Sequence, residues 1–439
     1  MAWPVLAGFL IILTFMLIGF PVAFAFLLGT LASLLLLGMN PAFVTSVSYQ
    51  FVDSWVLLAV PLFLLLGGLV DKGGLADKLL AFVSSLAEGV RGGYGIVIIV
   101  TTMFLSAMCG TTMGSVAAIG PMLIPRLERI GWDRRYTTML ICVSGFLGVI
   151  IPPSVGLIIL GYATEISVGA LFMGSLIPGI VTGTLMIIVN CWLAPRWIRQ
   201  VADPGDSAVQ TQAKAAIVWP DVARRGLVAF PALLVPVIVL GGIYGGVFTP
   251  TEAGAVASFY TLLVGVFVYR ALKRGHIRPV LKEGAVVTAY IMIIASFAMV
   301  FNRVLLTKGV PQFLAGSILT LSQNPKVLFL LANAVLLMLG MFVEPVPILL
   351  IMGPLMLPIF REVGVNPIHY GVVVNMAVSI GSITPPFALN LFMGQRVGQV
   401  PYHRLIRPLL PFLFLACVPG LLLTTYVPQL VLWLPQLLR

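Results

Sequence analysis

The sequence predicts an all-α polytopic membrane protein with about ten crossings, two re-entrant hairpins and an inverted-topology repeat. Three observations lead to this fold class: the composition, the number of long apolar segments, and a pattern of glycine and proline that recurs along the chain. The 439 residues are 60% hydrophobic and 9% charged, and the mean hydropathy is +1.11. A soluble domain has about 25% charged residues. The composition therefore excludes a soluble enzyme, a disordered chain and a nucleic-acid-binding protein.

Ten apolar segments are long enough to cross a bilayer, for which a helix needs about 20 residues. Two further apolar stretches, at about 94–127 and 327–360, carry polar or Gly/Pro interruptions at their centres. We expect each of these two to fold back as a re-entrant hairpin. The predicted crossings are residues 4–20, 22–38, 54–70, 136–161, 168–193, 228–246, 252–269, 285–302, 371–395 and 408–427.

The basic residues define the orientation of these segments. If both hairpins return, 20 of the 25 Lys and Arg residues fall in loops on one side of the membrane. Because Lys and Arg are retained in the cytoplasm, this side is predicted to be cytoplasmic and both termini to lie outside. The net charge of +11 then reports orientation rather than nucleic-acid binding. The basic loops are 71–93, 126–135, 194–225, 270–283 and 396–407.

An internal repeat relates the two halves of the chain. At an offset of 233 residues, eight Gly and Pro positions coincide without a gap, and these residue types mark turns and helix breaks. The loop 125–135 has four arginines and its counterpart 358–369 has one, so the halves have opposite orientations. The matched pairs are Gly120/Gly353, Pro121/Pro354, Pro125/Pro358, Gly131/Gly364, Gly148/Gly381, Pro152/Pro385, Pro153/Pro386 and Gly161/Gly394.

Such an inverted repeat with interrupted helices is typical of a secondary transporter whose site lies between the halves. The alternative is a chance coincidence of glycine and proline in an apolar chain. We predict a first repeat at 1–200, a cytoplasmic linker at 201–227 and a second repeat at 228–439. The helices at 136–161 and 371–395 are the predicted broken helices.

Each broken helix contains a proline pair, Pro152-Pro153 or Pro385-Pro386. A proline inside a helix costs about 3 kcal/mol because it lacks an N–H and clashes with the preceding turn. The carbonyls freed by the pairs need a partner in a membrane, and a dehydrated Na⁺ takes oxygen ligands. A proline kink with only a packing role is the alternative. The freed carbonyls would be those of Gly148, Val149, Gly381 and Ser382, with the hydroxyls of Ser154 and Thr384 beside them.

The centres of the hairpins carry the remaining polar candidates. The first contains Ser106 and, after Cys109, the small residues Gly110, Thr111 and Thr112. The second contains Glu344, which either joins a cation or substrate site or lies in water at the outer mouth. Arg303, at the outer end of a crossing, either meets an anionic substrate or extends to the lipid headgroups.

Two amphipathic segments and one cap complete the predicted elements. Residues 75–88 should form an interfacial helix that acts as an arm before the first hairpin. Residues 310–321 would be its outer counterpart. Thr249 and Glu252 form a capping-box pattern at the start of a helix.

The chain resembles the large membrane subunit of a tripartite ATP-independent periplasmic (TRAP) transporter, and the resemblance runs nearly from end to end. Several motifs in the expected order carry it. They are Ala118-Ile119-Gly120-Pro121, Gly148-Val149-Ile150-Ile151-Pro152-Pro153-Ser154, Gly246-Val247-Phe248-Thr249-Pro250-Thr251-Glu252-Ala253, Gly340-Met341-Phe342-Val343-Glu344-Pro345, Gly381-Ser382-Ile383-Thr384-Pro385-Pro386 with Asn390-Leu391-Phe392, and Tyr426-Val427-Pro428 with Leu432-Trp433-Leu434-Pro435.

The resemblance implies a Na⁺-coupled importer of a small organic anion in the bacterial inner membrane, working by an elevator motion. It also implies two partners, a small membrane subunit of about four helices and a periplasmic substrate-binding protein. The implied residues fall into three groups. They are a first Na⁺ site (Ser106, Gly110, Thr111, Gly148, Pro152, Ser154), a second Na⁺ site (Gly381, Thr384, Pro385) and substrate candidates (Thr112, Glu344, Asn390, Arg303).

Two positions depart from the pattern of the family. The first tip usually reads Ser-Gly-Ser, and here it is Cys109-Gly110-Thr111. The second hairpin commonly has Asp where Glu344 stands. Because a thiol is a poor ligand for Na⁺, the side chain of Cys109 is not expected to bind the ion.

The two alternative functions are a stand-alone symporter and an intramembrane enzyme. A stand-alone Na⁺/dicarboxylate symporter of related fold would need no binding protein. An intramembrane enzyme is disfavoured, since His276, His369 and His403 all fall in predicted loops and no nucleotide motif is present. The anion stays open, with a C4-dicarboxylate, sialic acid and a 2-oxo acid as examples.

Overall fold

The computed structural model of the chain describes residues 3–87, 92–110, 112–198 and 219–438. Within these ranges the chain is helical, and the one β-type contact is an isolated bridge between Trp132 and Ile198. The all-α fold class is confirmed. Residues 219–227, which we had placed in the linker, instead belong to a helix, and the rest of that segment lies outside the described residues. The repeat boundaries stay a prediction.

The first half of the chain contains eleven α-helices in the described residues, and a 3₁₀ turn (Ala194–Arg196) follows the last of them. They are α1 (Trp3–Leu17), α2 (Val22–Leu36), α3 (Ala42–Val52), α4 (Ala59–Lys72), α5 (Leu75–Leu86), α6 (Gly93–Cys109), α7 (Thr112–Arg129), α8 (Arg134–Gly145), α9 (Leu147–Ile150), α10 (Val155–Thr164) and α11 (Val168–Leu193).

The second half, from residue 219, contains ten helices when short π-type turns inside a continuous helix are counted with it. They are α12 (Trp219–Tyr244), α13 (Pro250–Val268), α14 (Arg274–Thr307), α15 (Val310–Leu321), α16 (Pro325–Phe342), α17 (Pro345–Glu362), α18 (Pro367–Gly381), α19 (Leu389–Gly398), α20 (Tyr402–Tyr426) and α21 (Gln429–Leu437).

Eight helical segments of the described chain are long and apolar enough to cross a membrane, with α8 to α10 counted as one segment. The bent pair α4 and α5 would add a ninth. The eight include both limbs of the second hairpin, α16 and α17, with 18 residues each. The predicted crossings α1 and α2 have 15 residues each, about 22 Å at 1.5 Å per residue. They are therefore shorter than a hydrocarbon layer of about 30 Å.

Both predicted hairpins are present. Helices α6 and α7 pack against each other around a reversal at Gly110, and α16 and α17 pack against each other around residues 343–344. Each hairpin is followed by a broken helix: α8 to α10 in the first half, and α18 with α19 in the second. Both proline pairs in these breaks have cis peptide bonds.

The first broken helix lies at the centre of the molecule. In this helix, Arg134–Thr164, 100% of the apolar stretch that is long enough to cross a membrane is buried. The corresponding stretches of α12 and α14 are 28% and 33% buried. A helix that is apolar on all sides and enclosed belongs to the protein core, while apolar surface on the peripheral helices is suited to lipid. The first break is thus held inside, whereas α12, α14 and the first limb of the second hairpin, α16, which is 33% buried, have apolar surface exposed.

The two predicted arms are helices. After Gly74, which has a φ of 75°, α5 turns away from α4 by 66°. One face of α5 is buried through Leu75, Leu79 and Val83, and it packs against α12 and α6. Helix α15 starts similarly after Gly309, with a φ of 68°, and packs against α17. The arms are therefore attached to the protein core along one side.

Polar caps set the start of several helices. Side-chain oxygens of Asp133, Ser154, Ser167, Thr249, Asn324 and Asn366 accept backbone N–H groups in the first turn of α8, α10, α11, α13, α16 and α18. Such caps satisfy N–H groups that lack an intrahelical partner. The capping box predicted for Thr249 and Glu252 is confirmed.

The positions predicted for the three histidines are wrong. His276, His369 and His403 lie in the first turns of α14, α18 and α20. His369 is buried, and its Nε2 lies 2.9 Å from the carbonyl oxygen of Thr424. The prediction failed because the crossings were started at their first apolar residues, which omits the polar first turn of each helix.

Candidate functional site

The tip of the first hairpin lies against the first helix break. Gly110 ends α6 in a left-handed conformation with a φ of 68°, and its carbonyl accepts the N–H of Val155 at 3.3 Å. A Cβ added to Gly110 would lie 3.0 Å from the carbonyl oxygen of Pro153. The conformation and the close approach both favour glycine at this position. The structure thus brings together two segments that we had assigned to one Na⁺ site.

Ser154 closes the first break from its far side. Its Oγ accepts the N–H of Leu157 at 3.3 Å, which caps α10, and its hydroxyl donates to the carbonyl of Val149 at 2.6 Å. The side chain is fully buried. Both hydrogen-bonding directions of this hydroxyl therefore serve to hold the ends of the break together.

Asn375 is a residue at the first break that sequence reasoning missed. It lies on α18, in the other half of the chain, and its Nδ2 donates to the carbonyl of Val149 at 2.8 Å. A carbonyl oxygen has two lone pairs, and Ser154 and Asn375 supply two donors. The Val149 carbonyl, which we expected to need a partner, is therefore already satisfied by two protein side chains. Gly148 remains a candidate, because the residue four positions after it is Pro152, which has no N–H.

Several buried polar atoms near the breaks have no hydrogen-bond partner among the residues that the structure describes. They include Asn375 Oδ1, Asn390 Nδ2 and Ser144 Oγ. Asn375 Oδ1 lies 2.7 Å from where a Cβ on Gly156 would be, so the glycine leaves room for it. Buried polar groups are nearly always satisfied by protein, water or an ion. These atoms mark the interior as a place where polar ligands can bind.

The other predicted residues of the first site have these positions. Ser106 is fully buried and its hydroxyl donates to the carbonyl of Thr102, one turn earlier in α6. Thr112 is buried at the start of α7, where its carbonyl and methyl group pack against Gly145 of α8. Thr111 lies outside the described residues, as does the side chain of Cys109.

The second break is closed mainly by its own residues. The N–H of Thr384 donates to the carbonyl of Gly381 at 2.9 Å, and its hydroxyl donates to the carbonyl of Ile380 at 2.7 Å. The N–H of Asn390 reaches the carbonyl of Ser382 at 3.5 Å. The carbonyls that we expected to be freed here thus have backbone donors, although the bond to Ser382 is long.

Gly340 is a second residue whose role the sequence did not show. It lies at the end of α16, directly against Gly381 at the end of α18. A Cβ on Gly381 would lie 2.7 Å from the Cα of Gly340, and a Cβ on Gly340 would lie 2.9 Å from the Cα of Gly381. Real Cβ atoms do not approach backbone this closely. The second hairpin therefore contacts the second break through backbone, as the first hairpin does through Gly110.

Glu344 lies at the tip of the second hairpin and is half-buried. Tyr290 of α14 donates its hydroxyl to Glu344 Oε1 at 3.2 Å. Because α14 is one of the peripheral helices, this bond connects the hairpin to the outer part of the molecule. The carboxylate of Glu344 is therefore neither fully buried nor fully solvated. Both interpretations, a cation or substrate site and a position in water, stay open.

Arg303 is separated from the two breaks. It is exposed and lines a cavity of about 470 Å³ with Gln50, Tyr162 and Glu165. None of the residues assigned to the Na⁺ sites lines this cavity. The structure therefore does not bring Arg303 together with the other substrate candidates.

The loop before the first broken helix contains a charged cap outside the spanning segment. Burial raises the pKa of Asp133, but hydrogen bonds from Arg135 and from the N–H of Tyr136 outweigh it, so that the pKa lies below its usual range. Asp133 Oδ2 lies 2.6 Å from Arg135 Nη2. This carboxylate is thus held ionised at the start of α8.

The chain thus has two hairpins, each in contact with a helix broken at a proline pair. The chain matches the family described as "Tripartite ATP-independent periplasmic transporter, DctM component" over residues 9–430. The chain belongs to this family. The TRAP resemblance seen in its motifs is thereby confirmed.

Other DctM-family permeases are similar over most of this chain. The C4-dicarboxylate TRAP large permease DctM of Pseudomonas aeruginosa is 36% identical over 412 residues, covering 93% of each protein. The sialic acid TRAP large permease SiaM of Vibrio cholerae is 33% identical over 427 residues, covering 95% of each. An isethionate TRAP permease, DctMQ of Oleidesulfovibrio alaskensis, is 34% identical over 430 residues, which are 97% of this chain and 65% of that protein.

A solved structure shares the fold of this DctM-family chain. The YdaH transporter of Alcanivorax borkumensis, a protein described as having an unusual topology, superposes with a TM-score of 0.60. The superposition covers 87% of this chain and 86% of the other. The sequences are 15% identical, so this similarity concerns the fold alone.

Proposed function

We propose that this chain is the large permease subunit of a TRAP transporter that imports a small organic anion in symport with Na⁺. The observation that carries the proposal is the contact between each hairpin and a helix break, at Gly110 with Pro153 and at Gly340 with Gly381. In membrane transporters, broken helices of two inverted repeats form substrate and ion sites near the midplane. Family membership supports the same function.

The chemistry of the first break is suited to Na⁺. Hard cations take oxygen ligands, and the segment offers carbonyls at Gly110, Gly148 and Pro152 and hydroxyls at Ser106 and Ser154. Ser106 and Ser154 give their hydrogens to carbonyls, and Ser154 also accepts the N–H of Leu157, which leaves one lone pair on Ser154 Oγ and the lone pairs of Ser106 Oγ for a cation. Thr111, which lies outside the described residues, belongs to the same proposed site. A bound Na⁺ would supply positive charge next to the anionic substrate.

At the second break the proposed ligands are the Gly381 carbonyl, Thr384 and Pro385. Thr384 donates its hydroxyl hydrogen to Ile380, so that its oxygen is also left as an acceptor. The Gly381 carbonyl already receives the N–H of Thr384, and its second lone pair is the one proposed for Na⁺. Fewer oxygen ligands are proposed for Na⁺ at this break than at the first.

We place the anion between the two breaks, with Asn390, Thr112 and Glu344 as candidate contacts. Asn390 is buried and its Nδ2, a hydrogen-bond donor, has no partner in the described part of the chain. A donor of this kind can bind a carboxylate or sulfonate oxygen. The relatives named above carry anions in their names: a C4-dicarboxylate, sialic acid and isethionate. Arg303 is proposed only as a contact on the way to this site.

The elevator motion is part of the proposal. The first broken helix is enclosed, and each hairpin contacts its own helix break, while α12 and α14 expose apolar surface. The arms α5 and α15 join the two regions, each starting at a glycine in a left-handed conformation. Such an arrangement supports a mobile central part that slides against an outer scaffold.

The proposed partners are a small membrane subunit of about four helices and a periplasmic substrate-binding protein, with the chain in the bacterial inner membrane. One relative bears the name DctMQ and is longer than this chain, which supports a second membrane part. The basic loops would face the cytoplasm and both termini the periplasm. No catalytic step is proposed.

Reconstitution in liposomes tests these points together. The chain and its small subunit are inserted, an inward Na⁺ gradient is applied, and uptake of labelled organic acids is measured with and without candidate binding proteins outside. Uptake that needs both Na⁺ and a binding protein is the expected result. Na⁺-driven uptake without a binding protein would instead show a stand-alone symporter, and uptake indifferent to Na⁺ would refute the coupling.

A further inference from the structure

A second cavity lies away from the helix breaks, between the arm α5 and the start of α12. Its volume is about 260 Å³. The charge distribution predicts that this end of the molecule lies on the cytoplasmic side. The cavity is lined by Lys78, Ala81, Asp221, Arg224, Arg225 and Val228.

The charged side chains of the cavity are mostly basic. Three cations face one carboxylate, since Arg225 Nη2 pairs with Asp221 Oδ2 at 2.7 Å. Lys78 and Arg224 are exposed at its edge, one from each helix. The cavity therefore keeps an excess of positive charge after its internal ion pair is counted, and an anion of low charge would fit it.

Apolar surface borders the cavity on the side of α12. Val228 lines it and is 46% exposed, and its neighbour Leu227 is 77% exposed. Trp219, at the start of the same helix, is 70% exposed, and tryptophan is enriched where a membrane meets water. These residues suit a position at the lipid headgroups, with an apolar surface for an acyl chain beside the cavity.

The two helices that line the cavity are packed closely beside it. The ring of Phe82 of α5 lies 3.2 Å from where a Cβ on Gly226 would be, so the two helices approach closely beside the cavity. Helices α5 and α12 are in extended contact. The basic groups are thus carried on two helices whose relative position is fixed.

We propose that this cavity binds the phosphate headgroup of an anionic phospholipid of the cytoplasmic leaflet. Lys78, Arg224 and Arg225 surround the phosphate, and an acyl chain lies along Leu227 and Val228. Basic cavities between membrane helices on the cytoplasmic side are suited to such headgroups. The lipid would connect the arm α5 to α12. This site is independent of the transported substrate and requires only that the chain lies in a bilayer.

Native mass spectrometry of the full chain in mild detergent tests the proposal. Delipidated protein is titrated with phosphatidylglycerol, with phosphatidylcholine of the same acyl chains, or with inorganic phosphate. The variant K78Q/R224Q is compared with R278Q/K282Q, which removes two exposed basic residues of α14 on the same predicted side. Because each basic residue near an anionic lipid contributes about fivefold in affinity, we expect about 25-fold weaker phosphatidylglycerol binding only in K78Q/R224Q.

A second variant guards against a loss of folding. Ala81→Phe keeps every charge and fills the cavity, so it should also lose the tight phosphatidylglycerol site while its melting temperature without lipid stays near that of the wild type. Equal affinity for phosphatidylcholine would overturn the proposal. Tight binding of inorganic phosphate would show a site for a free anion rather than a lipid. Loss of the small subunit from K78Q/R224Q on co-purification, with lipid binding unchanged, would show a protein partner instead.

Discussion

The hydrogen bond from Asn375 to the Val149 carbonyl leads to the most specific prediction about Na⁺. We consider Asn375→Leu, which keeps the approximate volume of the side chain but removes Nδ2 and the unpartnered Oδ1. The bond is 2.8 Å long and the side chain is 1% exposed. Because Val149 precedes the break and follows the candidate ligand Gly148, loss of this bond should loosen the proposed first Na⁺ site.

The size of the effect follows from the partners of Val149. A neutral hydrogen bond contributes about 1 kcal/mol net, and a buried acceptor left without any donor costs about 1–3 kcal/mol. Ser154 still donates to the same carbonyl at 2.6 Å, so the lower figure applies. If the free energy of Na⁺ binding is weakened by about 1 kcal/mol, the affinity for Na⁺ falls about fivefold.

Thermal unfolding of the purified chain across a series of Na⁺ concentrations, with choline as the replacement ion, measures this affinity, because a ligand that binds only the folded state raises its stability. A matched control is Asn333→Leu. Asn333 of α16 is also buried, its Nδ2 donates to Thr425 Oγ1 at 3.0 Å, and its Oδ1 has no partner among the described residues, as in Asn375. Both variants should lose some stability, but only Asn375→Leu should shift the Na⁺ dependence. Equal shifts in the two variants, or none in either, would refute the reasoning.

Three further predictions concern the breaks and the cap of α8. Gly381→Ala should abolish uptake and lower the melting temperature, because its Cβ would lie 2.7 Å from the Cα of Gly340. The control Gly316→Ala, whose Cβ would meet nothing within 4 Å, should behave as wild type. An active Gly381→Ala protein would contradict the close contact. Ser154→Ala should cost about 1–2 kcal/mol of stability, since it removes a helix cap and a buried hydrogen bond, and should weaken Na⁺-dependent stabilisation; an unchanged Na⁺ response would remove this residue from the site. Asp133→Ala should cost about 1 kcal/mol at neutral pH through the lost cap. Because folding lowers the pKa of Asp133, its stabilising effect is present above the unfolded pKa of about 3.9 and is lost as the pH falls through the lower folded pKa. The melting temperatures of wild type and variant should therefore converge as the pH falls below the folded pKa. A difference that stays constant with pH would contradict this.

The fold was largely predictable because its strongest signals are local. Long apolar runs predict helices, and Pro152-Pro153 and Pro385-Pro386 interrupt two of them where the structure has breaks. Helix α3 was not predicted as a separate element. Its sequence, Ala42–Val52, mixes polar and apolar residues, and it packs against α14. Such a helix is stabilised by a distant neighbour, which periodicity alone does not show.

The site was less predictable because its hydrogen bonds join distant parts of the chain. Counting freed carbonyls considers only backbone donors, whereas Val149 is satisfied by the side chains of Ser154 and Asn375, the second 226 residues away. One signal was present: Asn375 is a polar residue inside the apolar run 372–378. A buried polar residue in such a run usually has a specific partner. Its partner, however, could only be found in three dimensions.

The repeat in the sequence does not produce two equivalent breaks. The offset of 233 that relates the halves places Cys142 opposite Asn375. Asn375 donates to a carbonyl of the first break itself, while the Sγ of Cys142 contacts the backbone of Gly394, in the half-helix that follows the second break. The first break is therefore braced by the other repeat and fully buried, whereas the second is closed by Thr384 and leaves Pro386 and Phe387 exposed. Since a buried and braced set of oxygens is more preorganised than an exposed one, Na⁺ should bind the first break more tightly than the second, although their sequence motifs are alike.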